Sequence, residues 1–214
     1  MKKVGIIGSG DVGRSLASGF LKYDYHVIIG TRNPDKLKKW LTESGDKICA
    51  GSFDDAAAYS DLLVLAVKGT AVNIVLATID PEHLKGKTVI DTTNPIGGGP
   101  EKGVLRFFTR PNDSLFEQTQ SLYPDVHFVK AFNSIGSANM VNPDFHGEKP
   151  TMFICGSDAN AKSQVAKIVE LFGFEVADMG DAIAARAIEP LSMLWCIPGF
   201  LHNDWNHAFR LINR

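Results

Sequence analysis

Gly8, Gly10 and Gly13 stand at the spacing G-x-G-x-x-G, within Gly8-Ser9-Gly10-Asp11-Val12-Gly13. Alone, the pattern is common. Here it follows the aliphatic run Val4–Ile7 and opens a segment in which Val12, Leu16, Phe20 and Leu21 recur at helical spacing. In a strand–turn–helix context each glycine has its own task. Gly8 permits a tight turn, Gly10 lets backbone approach a pyrophosphate, and Gly13 lets the helix lie close to the sheet. The unpaired N–H groups and the positive end of the helix dipole then face phosphate oxygens. The chemistry is dinucleotide binding, set against the plainer alternative of a glycine-rich turn.

The next run that bears on chemistry is Gly30-Thr31-Arg32-Asn33-Pro34-Asp35-Lys36. A site for the unphosphorylated dinucleotide places a carboxylate at the tip of the second strand, to accept from the ribose 2′-OH. Here a hydroxyl and a guanidinium occupy that tip, and Lys36 follows on the next helix. A planar, permanently charged guanidinium matches a 2′-phosphate. Thr31, Arg32 and Lys36 therefore point to NADP(H) rather than NAD(H); taken singly, the two cations would read as solvated surface residues.

Alcohol oxidation needs a proton acceptor beside the hydride site. No Tyr-x-x-x-Lys pair exists, because Tyr23, Tyr25, Tyr59 and Tyr123 are followed four places on by Val27, Ile29, Leu63 and His127. The six histidines show no metal-ligand spacing, so no metal and no catalytic side chain is assigned. His202 and His207 flank Asp204 in what is expected to be a C-terminal helix, where they suit a surface or interface role. Met179, Met193 and Trp195 are expected to be core or interface positions. A nicotinamide site without an acid–base group suggests hydride transfer to a second redox ring, a flavin or deazaflavin, with the cofactors carrying the chemistry.

Short apolar runs at Lys3–Gly8, His26–Gly30, Leu62–Val67, Thr88–Asp91 and His127–Ala131 have the continuous character of strands buried on both faces. Thr151–Cys155 and Phe174–Ala177 are two further strand candidates. Between the strands lie helical patterns, among them Val165, Ile168, Val169 and Phe172. Asn33-Pro34 predicts a capped helix start, and Ser114 to Glu117 a capping box. Ile96 to Pro111, rich in Gly, Pro and charge, is expected to be a long surface loop. From Asp181 the chain turns Met-, Trp- and Phe-rich. Its helices are expected to break at Pro190 and Pro198, with Leu201, Trp205, Phe209 and Ile212 along one side of the last.

Composition sets the outer bounds. A length of 214 residues, 44% apolar and 21% charged, suits one sizeable core and leaves no room for a separate catalytic domain of a hundred residues. A net charge of −2 gives no footprint for nucleic acid or an anionic membrane. Cys49, Cys155 and Cys196 are sparse and unpatterned, as in buried thiols of a reducing cytosol. No stretch approaches the ~20 apolar residues of a membrane span. The chain is therefore expected to be cytoplasmic, with no signal segment and no membrane contact.

These segments together resemble the NADP oxidoreductases that depend on the deazaflavin coenzyme F420, and the related reductase domains of six-transmembrane metalloreductases. The likeness runs over nearly the whole chain: the glycine motif, Gly30-Thr31-Arg32, Asp91-Thr92-Thr93-Asn94-Pro95, Asn112 to Leu115, Val129 to Gly136, and Arg186 to Leu191. It implies that Ser9, Gly10, Asp11 and Val12 hold the pyrophosphate, and that Thr31, Arg32 and Lys36 hold the 2′-phosphate. Ala66, Val67 and Lys68 would line the nicotinamide ribose, with Asn94 and Pro95 close by. Asn133 and Ile135 would face the nicotinamide and the second ring. Two features depart from deazaflavin relatives: an amide at Asn133 where a His can stand, and a longer segment from Gly97 to Asn112. With no membrane span following, a membrane-bound metalloreductase is not expected.

The expected architecture is α/β, a Rossmann-type doubly wound, mainly parallel sheet over residues 1–180. A short helical C-terminal cap, residues 181–214, would line the substrate pocket. The expected activity is hydride exchange between NADP(H) and a deazaflavin or flavin, the partner being a small-molecule redox coenzyme. An NADP(H) sensor without turnover is the alternative from another class. The C-terminal helices could join two copies into a homodimer or fold back within a monomer.

Overall fold

The computed structural model describes residues 2–212. Strand β1 (Lys3–Ile7) leads into helix α1 (Asp11–Lys22), and β2 (His26–Gly30) into a 3-10 turn, Pro34–Leu37, that continues as α2 (Lys38–Ser44). Then follow β3 (Ile48–Gly51), α3 (Phe53–Tyr59), β4 (Leu62–Leu65), α4 (Val72–Leu76), α5 (Pro81–Leu84) and β5 (Thr88–Asp91). A hairpin of β6 (Ile96–Glu101) and β7 (Val104–Phe107) precedes α6 (Leu115–Leu122) and β8 (His127–Lys130). Last come β9 (Thr151–Ile154), α7 (Ala159–Leu171), β10 (Glu175–Asp178) and α8 (Ala185–His202).

Six strands form one parallel sheet in the order β3-β2-β1-β4-β5-β8. Side chains alternate between its faces, and both faces are covered. Val4, Ile6, Val64, Ile90 and Val129 enter one core with Phe20 of α1 and Val165 of α7. Ile7, Leu63, Leu65, Val89 and Phe128 enter the other with Val72 of α4 and Phe116 of α6. Double burial is why these strands are apolar along their length. A separate parallel pair, β9 and β10, carries the chain on from β8 through a bridge between Lys130 and Cys155. The strand order reverses direction between β1 and β4, which opens a crevice at their carboxyl ends.

All seven strands expected from the sequence are present: two at the expected bounds, four shorter by one or two residues, and β10 shifted along by one. Four details differ. The segment from Ile96 to Pro111 is not a structureless loop: its first twelve residues are the exposed β6–β7 hairpin, against which α8 packs. Pro190 and Pro198 lie inside one continuous helix, because buried Ile188, Ser192 and Trp195 hold it to the body of the protein. That helix stops at Asn203, whose backbone is left-handed, so Trp205, Phe209 and Ile212 lie on an extended tail rather than a helix face. The tail returns along β9, where Thr151 N–H donates to the Phe209 carbonyl at 2.9 Å. Fourth, Cys49 is exposed, not buried.

The helix starts differ in kind. Asn33 makes no side-chain cap, and Pro34 opens a 3-10 turn. Ser114 caps α6 by accepting from Glu117 N–H at 3.1 Å, and its hydroxyl donates to the Glu117 carboxylate at 2.6 Å. The rest of that helix end is satisfied from far away. Glu189 of α8 accepts from the N–H groups of Leu115 and Phe116, each at 3.0 Å.

Glu189 also belongs to a buried ion cluster. Lys130 Nζ lies 2.7 Å from Asp91 and 3.0 Å from Glu189, and donates to the Thr93 carbonyl at 2.8 Å. All three side chains are almost wholly buried. For Lys130, desolvation is the largest single influence and favours the neutral amine; the attraction of two carboxylates outweighs it and raises its pKa above the ordinary 10.5. Burial pushes the Glu189 carboxyl up, and the neighbouring Asp91 charge adds to this, against the opposing pull of Lys130. Burial likewise raises the neighbouring Cys155 thiol to about 12.

Lys130→Met would leave two buried carboxylates facing each other, at a cost of about 3–5 kcal/mol in urea unfolding. Because the folded-state pKa of Lys130 is raised, its contribution is complete below pH 10.5 and is lost as pH rises through the folded value. Wild type should therefore lose stability at the alkaline end more steeply than Lys130→Met.

Candidate functional site

A cleft of about 740 Å³ occupies the crevice where the strand order reverses. Gly8, at the end of β1, has φ +122°, and a Cβ there would stand 2.3 Å from the Ala66 carbonyl just beyond β4. At Gly13 a Cβ would stand 2.2 Å from the Gly8 carbonyl. Gly10 differs: nothing lies within 4 Å of the Cβ it lacks, which opens toward the cleft it lines. The three glycines thus divide their tasks as the spacing predicts.

Gly10 is also the N-cap of α1, and no side chain caps that helix. The first-turn N–H groups of Asp11, Val12 and Gly13 are left for a ligand. Val12 packs its side chain into the core, and the exposed Asp11 carboxylate is turned to Arg14 at 2.6 Å. Ser9 Oγ and Thr31 Oγ1 are 2.9 Å apart across the floor between β1 and β2. Thr31 Oγ1 also accepts from Asn33 N–H at 3.2 Å. Arg32 and Lys36 are exposed along the cleft, and neither is ion-paired among the described residues. An uncapped helix start, open space at Gly10 and two uncommitted cations fit a phosphorylated dinucleotide.

Ala66, Val67 and Lys68 line the far side of the cleft. Asn94, Pro95, Asn133 and Ile135 do not line the cleft. Asn94 and Asn133 instead form a reciprocal pair. Asn133 Nδ2 donates to Asn94 Oδ1 at 3.1 Å and to the Ile188 carbonyl at 2.9 Å, while Asn94 Nδ2 donates to the Asn133 carbonyl at 2.8 Å. Gly69, next to Lys68, abuts this pair: a Cβ there would meet the Asn94 carbonyl at 2.0 Å. Pro95 is buried beside it, and Ile135 belongs to the core around α1. Asn133 Oδ1 is buried and has no hydrogen-bond partner. That orphan acceptor suits a carboxamide N–H.

Phe132 precedes Asn133 with φ +59°, a left-handed conformation costly for a bulky residue. Its N–H points to the Met152 sulfur at 3.0 Å. This bend turns the chain after β8 so that Asn133 faces back toward Asn94.

Three features of the site have no counterpart in the sequence reading. Ser52, Phe53 and Asp54, beyond β3, form part of the cleft wall. Ile74 and Thr78 complete an apolar rim, with Ile74 70% exposed. The buried Asp91–Lys130–Glu189 cluster sits behind the asparagine pair. Near the C-terminus, His207 stacks on Trp195, with ring centroids 5.0 Å apart, and bonds the Trp195 carbonyl at 2.8 Å through Nε2. His202 ends α8, and His207 lies on the tail, not in the helix.

This fold and this cleft define a Rossmann-type dinucleotide-binding protein. Residues 3–95 match the family described as NADP oxidoreductase, coenzyme F420-dependent. A crystal structure of a proposed F420-dependent NADP-reductase from Arthrobacter sp. FB24 is 31% identical over the whole of both chains, with a TM-score of 0.91. The F420-dependent NADP reductase of Methanocaldococcus jannaschii is 27% identical over 90% of each chain. The metalloreductase STEAP3 of Rattus norvegicus is 31% identical over 93% of this chain, which spans 39% of that relative's length. The chain belongs to the family of coenzyme F420-dependent NADP oxidoreductases. No described helix is long and apolar enough to cross a membrane.

Gly10→Ala and Gly13→Ala separate binding from folding. Gly10→Ala should leave the thermal midpoint within about 1–2 °C, as its Cβ meets nothing, while weakening dinucleotide binding at least about tenfold. Gly13→Ala should lower stability by about 1–3 kcal/mol, because its Cβ meets the Gly8 carbonyl. Calorimetry and fluorescence titration read the two effects separately.

Proposed function

We propose that this chain is an NADP(H)-dependent oxidoreductase that exchanges hydride with a deazaflavin such as coenzyme F420, or with a flavin. The observation that carries the reading is the joint placement of uncommitted Arg32 and Lys36 in the same cleft as the uncapped start of α1. The first-turn N–H groups of α1 hold the pyrophosphate, and Thr31, Arg32 and Lys36 hold the 2′-phosphate. Ala66, Val67 and Lys68 direct the far half of the dinucleotide toward the end of the cleft that the buried asparagine pair backs. When bound, the nicotinamide supplies the hydride. The archaeal relative's dependence on F420 supports a deazaflavin as acceptor.

The cap formed by residues beyond 180 covers this end, and its outer side supports a homodimer. Leu194 and Leu201 of α8 are more than half exposed, and Val104 of the hairpin is exposed too. Leu201 meets Gly103 closely, so helix and hairpin present one apolar surface. Leu194→Asp with Leu201→Asp should convert a dimer to monomer in light scattering.

The burial of Asn133 and Ile135 behind the cleft favours one other reading, an NADP(H) sensor without turnover. Stopped-flow oxidation of bound NADPH against F420, FMN, FAD and quinones distinguishes the two. Turnover with F420 or a flavin supports the oxidoreductase; binding without oxidation by any of the panel supports the sensor. Arg32→Ala should raise the KM for NADPH with little change in kcat, by about 1.5–3 kcal/mol, roughly 10- to 150-fold. Preference of wild type for NADH would overturn the assignment of Thr31, Arg32 and Lys36.

A further inference from the structure

The cleft wall holds a carboxylate that phosphate binding does not use. Asp54 is the second residue of α3 and lies in the cleft beside Phe53. Its Oδ1 is committed twice: it accepts from Asp80 N–H at 2.9 Å and sits 2.8 Å from His83 Nδ1. Asp80 is itself fixed, because its carboxylate caps α5 by accepting from Glu82 N–H at 3.0 Å. The side chain of Asp54 is therefore clamped by α5 in one orientation. Its other oxygen, Oδ2, has no partner among the described residues.

A carboxylate in a cleft built for phosphates repels its ligand unless the ligand brings it a donor. A dinucleotide carries donors of two kinds, ribose hydroxyls and the exocyclic amino group of adenine. The surroundings choose between them. Phe53, Val75 and the exposed Ile74 line the same cleft as Asp54, apolar walls suited to a purine. The cations and hydroxyl at Arg32, Lys36 and Thr31 serve the phosphorylated ribose.

We propose that Asp54 accepts a hydrogen bond from the adenine amino group through Oδ2, making the cleft selective for adenine over 6-oxopurine dinucleotides. This rests on the NADP(H) reading above and adds a specificity residue to it. A hypoxanthine base presents a carbonyl oxygen at the same place, and two acceptors then face each other. Asp54→Asn has a distinctive consequence. With its carbonyl oxygen held by Asp80 N–H and His83, the amide nitrogen takes the place of Oδ2 and donates to that carbonyl.

The test is equilibrium titration of NADPH and its hypoxanthine analogue, followed by fluorescence, with no acceptor present. Wild type should bind NADPH about tenfold or more tighter than the analogue. Asp54→Ala should bring the two affinities together, and Asp54→Asn should reverse the order. Arg32→Ala should weaken both equally and keep the preference. Equal affinities in wild type, or an undiminished preference in Asp54→Ala, would overturn the assignment while leaving NADP(H) binding intact. Binding of neither dinucleotide would overturn the NADP(H) reading and this inference with it.

Discussion

The buried ammonium of Lys130 is the point through which the structure behind the far end of the cleft is held. It stands between Asp91 on β5 and Glu189 on α8, and takes the Thr93 carbonyl as a third acceptor. Glu189 in turn closes the start of α6. One cation for two anions is an uneven balance in a low dielectric, and the positive end of α6 makes up part of the difference. Such a cluster is poor value as stabilisation compared with an apolar core, but it is demanding in geometry. Its effect here is registration: β5, β8 and α8 are fixed to one another at the Lys130 ammonium, and α6 joins them through Glu189.

The positions that follow the cluster show what the registration serves. Three residues after Asp91 comes Asn94; three after Lys130 comes Asn133; one before Glu189 comes Ile188. These three exchange the hydrogen bonds that set the amide of Asn133. The left-handed bend at Phe132 adds strain, which the surrounding aromatic packing of Phe172 and Phe174 holds in place. An unsatisfied amide oxygen at the end of so constrained a chain is preorganised, since its orientation is settled before any ligand arrives.

Much of this architecture was legible in the sequence, and the parts that were not share a physical cause. Doubly buried strands advertise themselves as apolar runs, and the glycine motif carried its steric reasons in its spacing. Strand β3 escaped notice because Ile48-Cys49-Ala50-Gly51 offers one large apolar residue, and with it went the wall at Phe53 and Asp54. The β6 strand, Ile-Gly-Gly-Gly-Pro-Glu, is exposed on both faces and so shows no alternation. Pro190 and Pro198 argued locally for breaks, yet tertiary contacts along α8 outweigh about 3 kcal/mol for an interior proline. Asp91, Lys130 and Glu189 look like surface charges until the fold brings them together. Nothing in a one-dimensional pattern distinguishes a solvated lysine from one enclosed by two carboxylates.

The two ends of the cleft consequently obey different rules. At the phosphate end the work falls to backbone N–H groups, an empty volume at Gly10 and exposed cations, and affinity there can vary with little effect on the rest of the structure. At the far end the asparagine pair is buried and cross-linked through the Lys130 cluster, so a change in position there propagates into the core. Such a division suits a protein whose reactive chemistry resides in bound rings. Under the proposed function, the ribose and phosphate contacts would set which dinucleotide is held, and the rigid asparagine pair would stiffen the wall at the far end. Among the described residues lining the cleft, the titratable side chains are Asp54, Arg32, Lys36 and Lys68. The first is clamped by α5, and the others are cations suited to anionic groups. Under the proposed function such a lining would give the protein a part in alignment rather than in proton transfer.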